Sequence, residues 1–84
     1  VEPGSTTKLH ALRNTVERYV ILKGKARVTV GTKQWEISDG DVVVIQANEK
    51  QKITNLTKDD LLFLAICTPR FEVSNYYECE EKAK

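Results

Sequence analysis

Alternation of apolar and polar positions dominates this chain. Arg18-Tyr19-Val20-Ile21-Leu22 is β-branched and aromatic and is closed by Lys23-Gly24, the composition of a strand. Ala26, Val28 and Val30 then alternate with Lys25, Arg27 and Thr29, which predicts a half-buried strand with one wet face. Gly31-Thr32 predicts a tight hairpin turn into a strand over Lys33-Gln34-Trp35-Glu36-Ile37. Ser38-Asp39-Gly40 is a turn cluster. After Asp41, Val42 to Ile45 is a continuous apolar run, and so is Leu61 to Cys67, the pattern of strands covered on both faces. Between them lie a turn at Ala47-Asn48-Glu49-Lys50, a short strand over Gln51-Lys52-Ile53-Thr54-Asn55 and a turn at Thr57 to Asp60. Thr68-Pro69 stops the last strand. No window carries a helical stripe. Short strands separated by regular turns predict an all-β sandwich or barrel.

Length and charge narrow the picture. Eighty-four residues make one domain with a thin core. The predicted domain is 1–72, followed by a charged tail over 73–84. The net charge of +1, with both signs interspersed, argues against a nucleic-acid partner. No apolar run reaches the length of a membrane span, and no basic start followed by an apolar segment marks a signal peptide. A cytoplasmic protein is the expectation, although the chain starts at Val1 and a removed leader would leave the same sequence. Cys67 and Cys79 are too few for a disulfide scaffold and lack zinc spacing. Cys67 reads as a small buried strand residue and Cys79 as an exposed one. Trp35 reads as a core or interface residue.

Two spacings carry the candidate chemistry. Gly4 is followed after five residues by His10, with Leu12, Glu17 and Gly24 downstream. The second set is Gly40, Gln46, Asn48, Gln51 and Asn55. Together they resemble the paired motifs of the cupin family, over nearly the whole chain. The resemblance implies an antiparallel jelly-roll β-barrel in which three histidines and one carboxylate hold a divalent metal. Here Leu12 and Gln51 stand at two of the histidine positions. Gln46 and Asn48 replace a proline and a glycine; asparagine tolerates the left-handed region that a glycine would supply.

Residues two apart on a strand share a face. His10 and Leu12, then Glu17, Tyr19 and Ile21, then Gln51, Ile53 and Asn55 are therefore expected to converge inside the barrel. The metal set that remains is His10, Glu17 and Gln51: one imidazole, one carboxylate and one amide oxygen. Iron, manganese, nickel or zinc would suit it as a divalent cofactor, but more weakly than the four-ligand set. The alternative is a polar pocket without metal, in which His10, Glu17, Tyr19, Gln51 and Asn55 contact a small molecule.

Three functions stay open at this point. The first is a small-molecule binding module for a sugar, sugar phosphate or small acid. The second is a metal-dependent isomerase or dioxygenase of the cupin type. The third is an interaction protein with a vestigial pocket. The apolar surplus of the 42–45 and 61–67 strands predicts a homodimer packed sheet to sheet.

Overall fold

The computed structural model describes residues 1–80. Its strands are β1 (His10–Leu12), β2 (Val16–Lys23), β3 (Lys25–Val30), β4 (Lys33–Ser38), β5 (Val42–Ile45), β6 (Gln51–Asn55), β7 (Leu62–Thr68) and β8 (Tyr76–Glu78), with one turn of 3-10 helix at Val73–Asn75 before β8. They form a five-stranded sheet in the order β4-β3-β6-β1-β8 and a three-stranded sheet in the order β5-β2-β7. Every ladder is antiparallel. The architecture is all-β, as the strand pattern predicts, and is the jelly roll that the family resemblance implies. Among the described residues no helix is long and apolar enough to cross a membrane.

The pleat explains the core. Tyr19 and Ile21 of β2 and Val43 and Ile45 of β5 point inward from the smaller sheet. They meet Ala26 and Val28 of β3, Ile37 of β4 and Ile53 of β6 from the larger one. Val28 and Ile53 are fully enclosed, and burying a side chain of that size stabilises by roughly 1.5–3 kcal/mol. The β3–β4 hairpin turns on Gly31 and Thr32, since Val30 pairs with Lys33. Gly31 holds φ +61° at the first of the two turn positions, where a type II′ turn needs glycine. Asn48 adopts φ +67°, the left-handed conformation expected of it.

Two features differ from the sequence pattern. The runs over 42–45 and 61–67 are covered on one face only. Val42, Val44, Leu62, Leu64 and Ile66 are solvent-exposed, because among the described residues no further layer covers the outer side of the β5-β2-β7 sheet. The segment expected as a tail also contributes a strand: β8 pairs with β1, setting His10 opposite Glu78, Ala11 opposite Tyr77 and Leu12 opposite Tyr76. Three residues at the end of a charged segment carry too little periodicity to announce a strand. The last four residues of that expected tail lie outside the described residues.

Gly24 joins β2 to β3 at φ +123°, and a Cβ added there would lie 2.9 Å from Leu61 Cδ1 and 3.6 Å from Leu61 Cα. Leu61 is itself buried in the core. Gly24→Ala combines a strained backbone with a displaced core side chain, and urea denaturation should show a loss of about 1–3 kcal/mol.

Candidate functional site

One end of the barrel interior is polar. Glu17 sits on β2 directly between Ile45 of β5 and Cys67 of β7, so its side chain shares the inner face with Tyr19. Gln51 enters from β6 on the opposing sheet, paired with Val30 on one side and His10 on the other. Glu17, Tyr19 and Gln51 are all buried. The Tyr19 hydroxyl donates to Gln51 Oε1, tying the two sheets together across the interior. The Cys67 thiol lies 3.9 Å from Glu17 Oε2, to which it is a weak donor. Glu17 Oε1 is buried and makes no hydrogen bond among the described residues.

Electrostatics follow from this enclosure. Burial, with the charge of Glu17 added, pushes the Tyr19 phenol far above the ordinary tyrosine range. The Cys67 thiol is raised by burial and by the same carboxylate, so Cys67 stands as a protonated donor rather than a nucleophile. Burial, and then Glu78, raises Tyr76. The site therefore sets the Glu17 carboxyl beside neutral donors.

His10 stands at the rim. Its Nδ1–H donates to the Lys8 carbonyl at 2.7 Å, and its ring stacks on Tyr76 with centroids 5.2 Å apart and planes 24° apart. Tyr76 reaches this position only because β8 pairs with β1. Tyr19 packs edge-on against Phe63 of β7, with ring centroids 4.9 Å apart. Cys67, Phe63 and Tyr76 are site residues that the sequence pattern does not single out. The apolar run over 61–67 hides which residues face inward, and the register of Cys67 with Glu17 appears only once the strands are paired.

Asn55 lies at the far end of β6, away from this cluster. Its Nδ2 donates to the carbonyls of Val1 and Asp59 at 2.9 and 2.7 Å. Its Oδ1 accepts from the Thr57 amide and hydroxyl at 2.8 and 2.7 Å. An asparagine side chain has two donors and two lone pairs, so Asn55 is fully committed to holding the loop before β7 and has nothing left for a ligand.

The donor set does not fit a cupin metal centre of three histidines and one carboxylate. Among the described residues no three His, Cys, Asp or Glu side chains converge where an ion could sit. Leu12 contributes only hydrocarbon and is buried. Gln51 Oε1 is already an acceptor for Tyr19. Of the expected metal set His10, Glu17 and Gln51, the structure brings Glu17 and Gln51 to the interior and holds His10 at the rim. Two concavities, of about 470 and 500 Å³, flank the β3–β4 turn instead. Trp35 lines the first, half-exposed rather than in the core.

Comparison with known proteins agrees with this geometry at the level of the fold. The cupin-domain family profile matches residues 1–67, and the chain belongs to the cupin-domain family. It is 31% identical over 71 residues to an uncharacterized protein of Methanocaldococcus jannaschii, covering 84% of this chain and 57% of that one. Among solved structures it resembles a protein of Acidithiobacillus ferrooxidans provisionally assigned as a sugar phosphate isomerase, with TM-score 0.71 and 29% identity over 80% of this chain and 44% of the other. It also resembles oxalate decarboxylase from Bacillus subtilis, with TM-score 0.71 and 31% identity over 77% of this chain and 18% of that enzyme. The chain thus spans about half the length of the first two relatives and a smaller part of the third.

Tyr19→Phe removes the hydroxyl that satisfies Gln51 Oε1 and leaves a buried acceptor open. Denaturation at neutral pH should show a loss of about 1–3 kcal/mol. The phenol is raised in the fold above its unfolded value of about 10, so the folded state retains a proton that the unfolded state releases. Stability from Tyr19 is therefore present below pH ~10 and falls as pH rises above it. The gap between wild type and Tyr19→Phe should narrow in that alkaline range.

Proposed function

We propose that the barrel interior binds a small hydroxyl-bearing molecule, such as a sugar, a sugar phosphate or a small acid. The observation that carries this reading is Glu17 Oε1, a buried carboxylate oxygen with no hydrogen-bond partner among the described residues. Leaving such an atom unpaired costs about 1–3 kcal/mol or more, and a ligand donor would recover that. A hydroxyl suits the position on both counts, because it can donate to Glu17 and accept from a neighbouring donor such as the Gln51 amide. In a ligand that also carries a phosphate or carboxylate, repulsion from Glu17 directs the anionic end outward, past His10 and Tyr76 at the rim. The resemblance to a protein provisionally assigned as a sugar phosphate isomerase supports the class of ligand.

A second reading is a metal-dependent isomerase or dioxygenase using His10, Glu17 and Gln51. The name of the Acidithiobacillus ferrooxidans relative, a provisional sugar phosphate isomerase, favours it, and the donor set opposes it. Elemental analysis of protein purified without chelator separates the two readings. An equimolar transition metal, lost in Glu17→Ala, would establish the second in place of the first.

The binding reading is tested by thermal melting across a panel of sugars, sugar phosphates and hydroxy acids. A ligand at ten times its Kd adds about 1.4 kcal/mol of stability, which in a domain this small raises Tm by several degrees. That rise should disappear in Glu17→Gln, which keeps the shape but loses the charge. A flat panel, or a Glu17→Gln variant that responds as the wild type does, would sink the proposal.

A further inference from the structure

The sandwich is open along one side. β4 and β5 are terminal strands of their sheets, and the turn at 39–41 leads from one to the other. Trp35 and Ile37 are two residues apart on β4 and share a face. That face is the inner one, because Ile37 is 5% exposed and belongs to the core cluster. Trp35, the larger side chain, is nevertheless 41% exposed. It lies on the inner side of its sheet where the described residues of the opposing sheet leave it uncovered. Beside it is a concavity of about 470 Å³, lined by Val30, Lys33, Trp35, Val44 and Glu49 and by the backbone of the β3–β4 turn.

We infer that this side cleft is a second ligand site, separate from the barrel interior, and that it takes a neutral carbohydrate ring. Small-molecule sites enclose about 300–1,000 Å³, and the cleft falls in that range. The indole offers an electron-rich face, which attracts the polarised C–H bonds on the flat side of a sugar ring. Its N–H makes no hydrogen bond among the described residues and is available as a donor. Glu49 Oε1 accepts from the Gln46 amide at 2.8 Å, which fixes the carboxylate, while Oε2 has no hydrogen-bond partner among the described residues. Lys33 forms no ion pair among them. A donor, an acceptor and an ammonium group therefore border one aromatic face. Sugar hydroxyls both donate and accept, so a ring with an apolar face and a hydroxylated edge uses all of them.

The charges of the cleft select against ions. Lys33 and Glu49 cancel. An organic cation is attracted to the indole but repelled by Lys33, and a phosphate or carboxylate is repelled by Glu49. Lys33 is exposed, and an exposed ion pair is worth little, so a zwitterionic amino acid gains little by spanning the two. None of this depends on Glu17 or on what the interior binds.

Trp35 is the single tryptophan of the chain, so its emission reports on this cleft. Titration of the 84-residue chain with methyl glucoside, maltose and cellobiose should change that emission saturably for at least one of them, with a Kd on the order of 1 mM. Glu49→Gln keeps the oxygen that holds the Gln46 amide and removes the charge, and should weaken binding about fivefold. Trp35→Ala, followed by calorimetry because it has no indole emission, should weaken it about 10-fold. Circular dichroism of both variants should stay that of a folded β protein, since neither side chain is in the core. Glu17→Gln should titrate as the wild type does, and choline, inorganic phosphate and leucine should leave the emission unchanged. Emission and heat that stay flat with all three saccharides up to ~100 mM overturn the inference, and so does saturation by choline, phosphate or leucine instead. A saccharide response that disappears in Glu17→Gln belongs to the interior and overturns it too, as does one that Glu49→Gln and Trp35→Ala both leave at wild-type affinity.

Discussion

β2 is the central strand of the three-stranded sheet, and its pleat sends Glu17, Tyr19 and Ile21 inward while Arg18, Val20 and Leu22 face out. A shift of one residue in its pairing would exchange these two sets. It would place a carboxylate and a phenol in water and an arginine in the core. That cost pins the register to both neighbours, β5 and β7, and so decides where Cys67 and Ile45 sit relative to Glu17. The inner site and the outer apolar face are two consequences of one strand's parity.

The interior divides along its length for a related reason. A small barrel has one inside, which here holds both the apolar core and a polar end. Ile21, Val43, Ala26, Val28 and Ile53 fill it with hydrocarbon, and Leu61 and Gly24 close it at a position where even a methyl group would clash. The remaining space holds Glu17, Tyr19 and Gln51. The hydrogen bond from Tyr19 to Gln51 lets an otherwise costly pair of polar groups sit next to that core, since each satisfies the other. It also bridges the two sheets at the end of the barrel where apolar packing stops.

Much of this was legible from the order of residues. Strict alternation over 25–30 and the Gly31-Thr32 turn placed β3 and β4 correctly, because a half-buried strand writes its period into the sequence. The inward set of Glu17, Tyr19 and Gln51 followed from the same rule. What could not be read was parity within the apolar runs. Leu61 to Cys67 contains no polar residue to mark its wet side, so neither the exposure of Leu62, Leu64 and Ile66 nor the approach of Cys67 to Glu17 was visible. Asn55 shows a different limit. It shares the inner face of β6 with Gln51, but four residues along a strand span about 13 Å, enough to move it from the pocket to the loop that precedes β7. Periodicity gives the face of a residue and leaves its position along the barrel to the register.

The substitutions at the motif positions follow the same physics. A cupin centre of three imidazoles and one carboxylate balances its anionic ligand with a cation. In this chain Leu12 is buried hydrocarbon, Gln51 is neutral and engaged with Tyr19, and His10 is turned to the Lys8 carbonyl and the Tyr76 ring. The carboxylate is still buried, with a weak thiol contact on one oxygen and none on the other. A buried anion without a cation or a full set of donors is unfavourable by itself. Replacing Glu17 with a residue of matching neutral shape would be the easy way to relieve it if stability were the only constraint. The unpaired oxygen is the energetic ground of the proposed binding reading, since a donor that reached Glu17 would recover the cost of leaving it unsatisfied.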